Sequence, residues 1–236
     1  MDASQAHPPA HFTPDLPPAV AWVTGESLKA AVSAALKEAA APAGARKAHR
    51  RSFELTEDEP LLVSVGRLEA NKGFHVLANA LGRIRDARWR WALVGDGPYR
   101  ARIVKAIEQA GIGDRVHLVG RASDAELHGW YDAADVFVHP TLYEGSSLTT
   151  LEAMAHRRPV VGTRAGGLPD KVVPGSTGWL VTPGGAEELA QALRAALAAP
   201  RGQRHEMGEA GRRLVETEFS WAPIVDRTIA LYEELL

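Results

Sequence analysis

At 236 residues the chain is long enough for one substantial core with appendages. Its formal net charge of −2 argues against a broad positive field for nucleic acid, and the lack of cysteine removes disulfides, thiolate zinc sites and cysteine nucleophiles together. No apolar run approaches the roughly 18–20 residues of a membrane-spanning helix. The first residues carry acid, proline and histidine where a secretion signal needs basic and then apolar residues, so a cytoplasmic protein is the expectation.

Residues 1–18 are rich in Pro, Ala and His without periodicity and read as a disordered tail. His7 and His11 lie in that tail with no further ligand type beside them, so no metal site is read there. An apolar run at 19–23 reads as a strand, and an Ala-rich stretch at 28–40 as a helix. Pro42 to Arg51 is a basic linker. Its Arg46, Lys47, Arg50 and Arg51 read as solvated charges, or as cations facing phosphate or lipid headgroups in a peripheral membrane contact. The domain reading is therefore a tail (1–18), a remnant strand, helix and linker (19–59), and a folded domain (60–236).

From Pro60 onward short apolar runs alternate with helical patterns, the signature of a parallel α/β sheet. Strands are predicted at 61–65, 91–94, 116–119, 136–138, 160–162 and 178–181. Helices are predicted at 75–85, 99–110, 124–133, 148–156, 169–173, 186–198, 203–218 and 222–235.

The most informative stretch joins the fourth strand to its helix. A buried run, Val136-Phe137-Val138, opens into a loop with Gly145, Ser146 and Ser147 and closes in a helix starting near Leu148. Strand, small-residue loop and helix together aim backbone N–H groups at an anion. Glu144 stands before the loop and Glu152 lies inside the helix. A phosphate at the helix N-terminus, with a carboxylate on either side, describes a nucleotide-sugar.

In a doubly wound sheet of order 3-2-1-4-5-6, ligands bind off the carboxyl ends of strands 1 and 4, where the order reverses. Arg67 and Lys72 follow strand 1, and Glu144 and Glu152 follow strand 4, so all four would meet at one crevice. A diphosphate calls for cations and N–H donors, which assigns it to Arg67, Lys72 and the N–H groups near Ser147, Leu148 and Thr149. Carboxylates repel phosphate, which leaves Glu144 and Glu152 for hydroxyls. Taken singly these residues have plainer readings. Glu152 has an i,i+4 partner in His156, Gly95-Asp96-Gly97-Pro98 is a tight turn or a ligand contact, and His139 reads as a buried histidine satisfied by backbone.

The chain resembles the donor-binding, C-terminal half of retaining glycosyltransferases with two facing Rossmann-like domains, the GT-B architecture. The resemblance rests on the Glu144/Glu152 spacing (E-x7-E), on Gly66-Arg67-Leu68 with Lys72-Gly73, and on Val94-Gly95-Asp96-Gly97-Pro98. Ala165-Gly166-Gly167-Leu168-Pro169 and Gly178-Trp179-Leu180-Val181 extend it. It implies Glu152 on the ribose hydroxyls, Glu144 at the transferred sugar, Gly145 among the donor-binding residues, and the base near Gly120 and Arg121. Arg121 then stacks on the base or stays exposed. It also implies transfer from a nucleotide diphosphate sugar with no further cofactor and no metal, aided by an acceptor domain that these residues do not contain and that a separate chain would supply. A nucleotide-sugar-binding module without turnover and a nucleotide-sugar epimerase are the alternatives. A dehydrogenase is disfavoured, because the loop after strand 1 lacks G-x-G-x-x-G. Ser146-Ser147 and Asp170 depart from the family pattern.

Overall fold

A computed structural model describes residues 33–37, 46, 50–51, 55–56, 59–220, 229–230 and 233. The expected tail and the strand at 19–23 lie outside the described residues. Of the helix expected at 28–40 only 33–37 are described, and they are helical. Of the one at 222–235 only 229–230 and 233 are described.

The strands are β1 (Leu61–Val65), β2 (Arg90–Val94), β3 (Val116–Gly120), β4 (Val136–His139), β5 (Val160–Thr163) and β6 (Gly178–Val181). All neighbours pair in parallel, in the order β3-β2-β1-β4-β5-β6. Among the described residues from 59 to 220, six helices cover the sheet: α1 (Phe74–Gly82), α2 (Arg100–Ala110), α3 (Asp124–Ala133), α4 (Leu148–Ala155), α5 (Ala186–Ala198) and α6 (Arg201–Glu218). The doubly wound, Rossmann-like architecture expected from the sequence is the one observed.

Each inner strand is buried on both faces, which is why β1 is an unbroken Leu-Leu-Val-Ser-Val rather than an alternating pattern. Leu62, Val136 and Val138 point toward α1, α2 and α5, and pack with Leu77, Ile103 and Leu193. Leu61, Val63 and Phe137 point the other way and pack with Tyr131, Leu151 and Val215 of α3, α4 and α6. The one polar side chain inside β1 is satisfied: Ser64 Oγ donates to the Val138 carbonyl of β4 (2.8 Å) and accepts from Trp91 Nε1 of β2 (3.2 Å).

Local chemistry sets the helix ends. Ser123 caps α3 in a capping box with Glu126, and Gly111 closes α2 in the left-handed region. The helix expected at 169–173 is not formed. The Lys171 and Val172 N–H groups both bond the Leu168 carbonyl, but Thr177 Oγ1 captures the Val173 N–H at 2.8 Å and stops the turn from propagating.

The solvated reading of Arg46 and Arg50 is corrected. Arg46 donates to the Asp132 and Ala134 carbonyls (2.9 and 2.6 Å) and to Asp135 Oδ1 (2.6 Å). Arg50 is buried; it donates to the Ala133, Thr56 and Glu59 carbonyls and to Asp135 Oδ2 at 3.0 Å. The C-terminal carbonyls of α3 have no partners within their helix, and these guanidiniums supply them. Lys47 lies outside the described residues, and Arg51 is exposed. Among the described residues no helix is long and apolar enough to cross a membrane.

Candidate functional site at the carboxyl end of the sheet

Because β1 and β4 are neighbours and parallel, the loops that leave them emerge side by side. Backbone bonds stitch the two together. The Leu142 N–H and Thr141 Oγ1 both donate to the Asn71 carbonyl (2.6 and 3.0 Å). Gly73 sits at φ 67°, and a Cβ there would overlap the Pro140 carbonyl oxygen. Glycine is required at that point for both reasons.

Two of the expected site residues meet across this seam. Lys72 Nζ lies 2.6 Å from Glu144 Oε2, and both side chains are largely shielded from solvent. His139 Nε2, at the end of β4, is 3.1 Å from the same oxygen. The expectation that His139 bonds backbone is thus corrected: its partner is Glu144. Burial holds the imidazole pKa below its ordinary value, against the pull of Glu144. A neutral ring whose Nε2 faces a carboxylate carries its hydrogen there and donates it. Its buried Nδ1 has no partner among the described residues. For Glu144, burial alone would raise the pKa, but the bonds from His139 and Lys72 outweigh it and bring it down to about 2. Glu144 is therefore a fixed carboxylate at neutral pH, able to accept hydrogen bonds and not to deliver a proton.

The third wall comes from the loop after β5. The Gly167 N–H donates to the Gly145 carbonyl at 3.1 Å. Gly166, at φ 50°, packs so close to the Glu144 carbonyl that no side chain fits. Beneath this turn lies Lys171, 3% exposed, whose amine donates to the Gly167 carbonyl (3.0 Å) and faces the Phe219 ring at 5.3 Å. Burial lowers its pKa. Sequence reasoning missed Lys171, although a lysine directly after Gly-Gly-Leu-Pro-Asp was the available signal.

At the start of α4, Ser147 spends its hydroxyl on the helix, accepting from the Thr150 N–H (3.2 Å) and from Thr150 Oγ1 (2.8 Å). Its role is thus to cap, while the N–H groups of Leu148 and Thr149 belong to the first turn, which a helix does not pair internally. Glu152, one turn further, does not pair with His156. It accepts from Tyr131 of α3 (Oη to Oε2, 2.6 Å), while His156 Nδ1 faces Asp132 at 2.7 Å. Burial raises the pKa of Glu152.

Arg67 and the base-side residues stand apart from this cluster. Arg67 follows Gly66 on the β1 loop, is 71% exposed and pairs with Glu69 at 3.0 Å. The turn at 95–98 grips the same loop: the Leu68 N–H donates to the Asp96 carbonyl (3.0 Å) and the Tyr99 N–H to the Leu68 carbonyl (2.9 Å). Gly120 ends β3 with open space around its α-carbon, and Arg121 beside it is exposed. The structure thus brings Lys72 and Glu144 into contact and places Arg67 and Gly66 on the same loop as Lys72. It sets Gly145, Ser147, Leu148, Thr149 and Glu152 on the loop and helix that follow Glu144.

A parallel sheet of this order, open where β1 and β4 diverge, defines the class of doubly wound α/β domains that bind ligands at a switch point. Residues 45–214 match the family described as "Glycosyl transferases group 1". The chain belongs to that family. It is 38% identical over 171 residues to the MMP alpha-(1->4)-mannosyltransferase of Mycolicibacterium hassiacum, covering 70% of this chain and 40% of that protein. The sucrose-phosphate synthase structure from Thermosynechococcus elongatus superimposes with a TM-score of 0.74 at 35% identity, over 85% of this chain and 50% of that one. The C-terminal domain of a group 1 family protein from Francisella tularensis gives a TM-score of 0.64 over 76% of this chain and 95% of its own. At 23% identity this shows a shared fold. The chain spans half or less of the curated relatives compared first.

Proposed function

We propose that this chain is the donor-binding half of a retaining glycosyltransferase that moves a sugar from a nucleotide diphosphate sugar to an acceptor hydroxyl. The observation that carries the reading is the Lys72–Glu144 pair at 2.6 Å, lying where the β1 and β4 loops meet. A cation and a carboxylate held together there suit a ligand that is anionic at one end and hydroxylated at the other.

In this reading Lys72, Arg67 and the first-turn N–H groups of α4 take the diphosphate. Glu144 accepts from hydroxyls of the transferred sugar, Glu152 from the ribose, and the base lies along Gly120 and Arg121. As the bond from the anomeric carbon to the phosphate oxygen lengthens, negative charge gathers on the diphosphate, and preorganised cations stabilise it. The acceptor hydroxyl attacks from the same face and its proton passes to the departing phosphate oxygen. Glu144, ionised at neutral pH, orients the sugar and is neither the acid nor the nucleophile.

Calorimetric titration with UDP, GDP and ADP tests this. The tightest of the three is expected to lose at least about tenfold in affinity with Lys72→Ala, the scale of a charge-assisted hydrogen bond. Wild-type affinity in both Lys72→Ala and Arg67→Ala would reject the phosphate assignment.

A further inference from the structure

Glu152 is steadied from a neighbouring helix rather than from its own. Tyr131 reaches across from α3 and donates its hydroxyl to Oε2 at 2.6 Å. The tyrosine is itself wedged. Phe137 of β4 meets its ring edge-on at 5.7 Å, and the His156 ring stacks on it at 5.5 Å. His156 is pinned on both nitrogens, Nδ1 to Asp132 Oδ1 at 2.7 Å and Nε2 to His128 Nδ1 at 2.8 Å. Asp132, Tyr131 and His128 all lie on α3, and the carbonyls at its end are held by Arg46, Arg50 and Arg158. The brace therefore runs from the anchored end of α3, through His156 and the Tyr131 ring, to one oxygen of Glu152.

We propose that Tyr131 is the positioning residue for the ribose-binding carboxylate, its hydroxyl fixing the plane of Glu152 so that the group meets two adjacent hydroxyls together. This rests on the reading above that Glu152 takes the ribose. A glutamate reaching into a crevice has several rotatable bonds, and recognition of a cis-diol needs one orientation. Tyr131 suits the task because it keeps its proton to donate: burial first, and the charge of Glu152 second, raise its phenol well above the ordinary value. The groups facing Glu152 from α3 are Tyr131, His128 and Asp124. Burial raises the pKa of Glu152, Tyr131 and His128 pull it back, and Asp124 pushes it up. Loss of the phenol hydroxyl therefore makes Glu152 protonate at a higher pH.

The test compares wild type, Tyr131→Phe and Glu152→Ala with two probes: whichever of UDP, GDP and ADP binds tightest, and its 2′,3′-dideoxy analogue. Wild type is expected to prefer the ribose form. In Tyr131→Phe the ribose form is expected to bind about 5- to 10-fold more weakly, the scale of one ordinary hydrogen bond, with dideoxy binding unchanged. The acid limb of ribose-form affinity moves to higher pH. Equal weakening of both probes with an unmoved pH limb marks a merely structural tyrosine and overturns the proposal, as does wild-type behaviour of Tyr131→Phe. Glu152→Ala separates the two levels. If it abolishes the preference for ribose while Tyr131→Phe changes nothing, the ribose assignment stands and the positioning role falls. If it leaves the preference intact, the ribose assignment falls as well.

Discussion

At the amino end of the sheet Asp135 meets Arg46 and Arg50; at the carboxyl end Glu144 meets Lys72. Both carboxylates are shielded, and in both burial is outweighed by cations and N–H donors, so both pKa values fall below the ordinary range. The surroundings differ. Around Asp135 the guanidiniums also bond helix-end carbonyls, and the Leu61 N–H donates at 2.8 Å to Oδ2, the oxygen that accepts from Arg50 as well. Around Glu144 the partners are side chains, Lys72 from the loop after β1 and His139 from the end of β4. His139 keeps a buried nitrogen without a partner among the described residues, and Arg67, exposed and paired with Glu69, lies on the same loop as Lys72. Each cluster keeps one buried nitrogen without a partner among the described residues, Arg50 Nε at the amino end and His139 Nδ1 at the carboxyl end, so it is the place at the order reversal of the sheet that sets the carboxyl-end cluster apart.

The sharpest way to break the carboxyl-end cluster is Gly73→Ala. It adds a Cβ against the Pro140 carbonyl at a left-handed φ and should cost about 3 kcal/mol or more, read as a lower urea midpoint together with lost nucleoside diphosphate binding. Arg50→Ala attacks the opposite end. It strips a buried partner from Asp135 and should destabilise by about 3 kcal/mol in urea, with affinity in the surviving folded protein unchanged.

Acid distinguishes Glu144 from a surface carboxylate. Its folded pKa is depressed from 4.5 to about 2, so its contribution is complete above the ordinary value and is lost as pH falls through that window. The shift corresponds to roughly 3 kcal/mol. The stability advantage of wild type over Glu144→Gln, followed in urea, should shrink from pH 5 downward and vanish near the folded pKa. The smallest stability effect is expected from Arg67→Ala, within about 0.5 kcal/mol because the guanidinium is exposed. The same variant should still weaken diphosphate binding, and a large stability loss would assign Arg67 to the fold instead.

Much of the molecule was legible before any coordinates. Continuous apolar runs such as Leu61-Leu62-Val63 announce strands covered on both faces, and strand–helix alternation then leaves few topologies. That Lys72 and Glu144 leave neighbouring strands at one end of the sheet followed from strand order and from the rule placing ligands at the order reversal. Less could be read where partners come from distant helices or from side chains that compete with backbone. Thr177 halting the turn at Val173 is one case, and Arg46 and Arg50 docking on α3 is another.

By itself, the order of apolar runs, glycines and charges determined a doubly wound sheet and which residues leave the carboxyl ends of its strands, because hydrophobic period and turn chemistry act over a few residues. Only the tertiary structure decided which of those charges bond each other. It set His139 and Lys72 on Glu144, Tyr131 on Glu152 and Lys171 under Gly167, since burial and hydrogen-bond geometry arise only when separate elements pack.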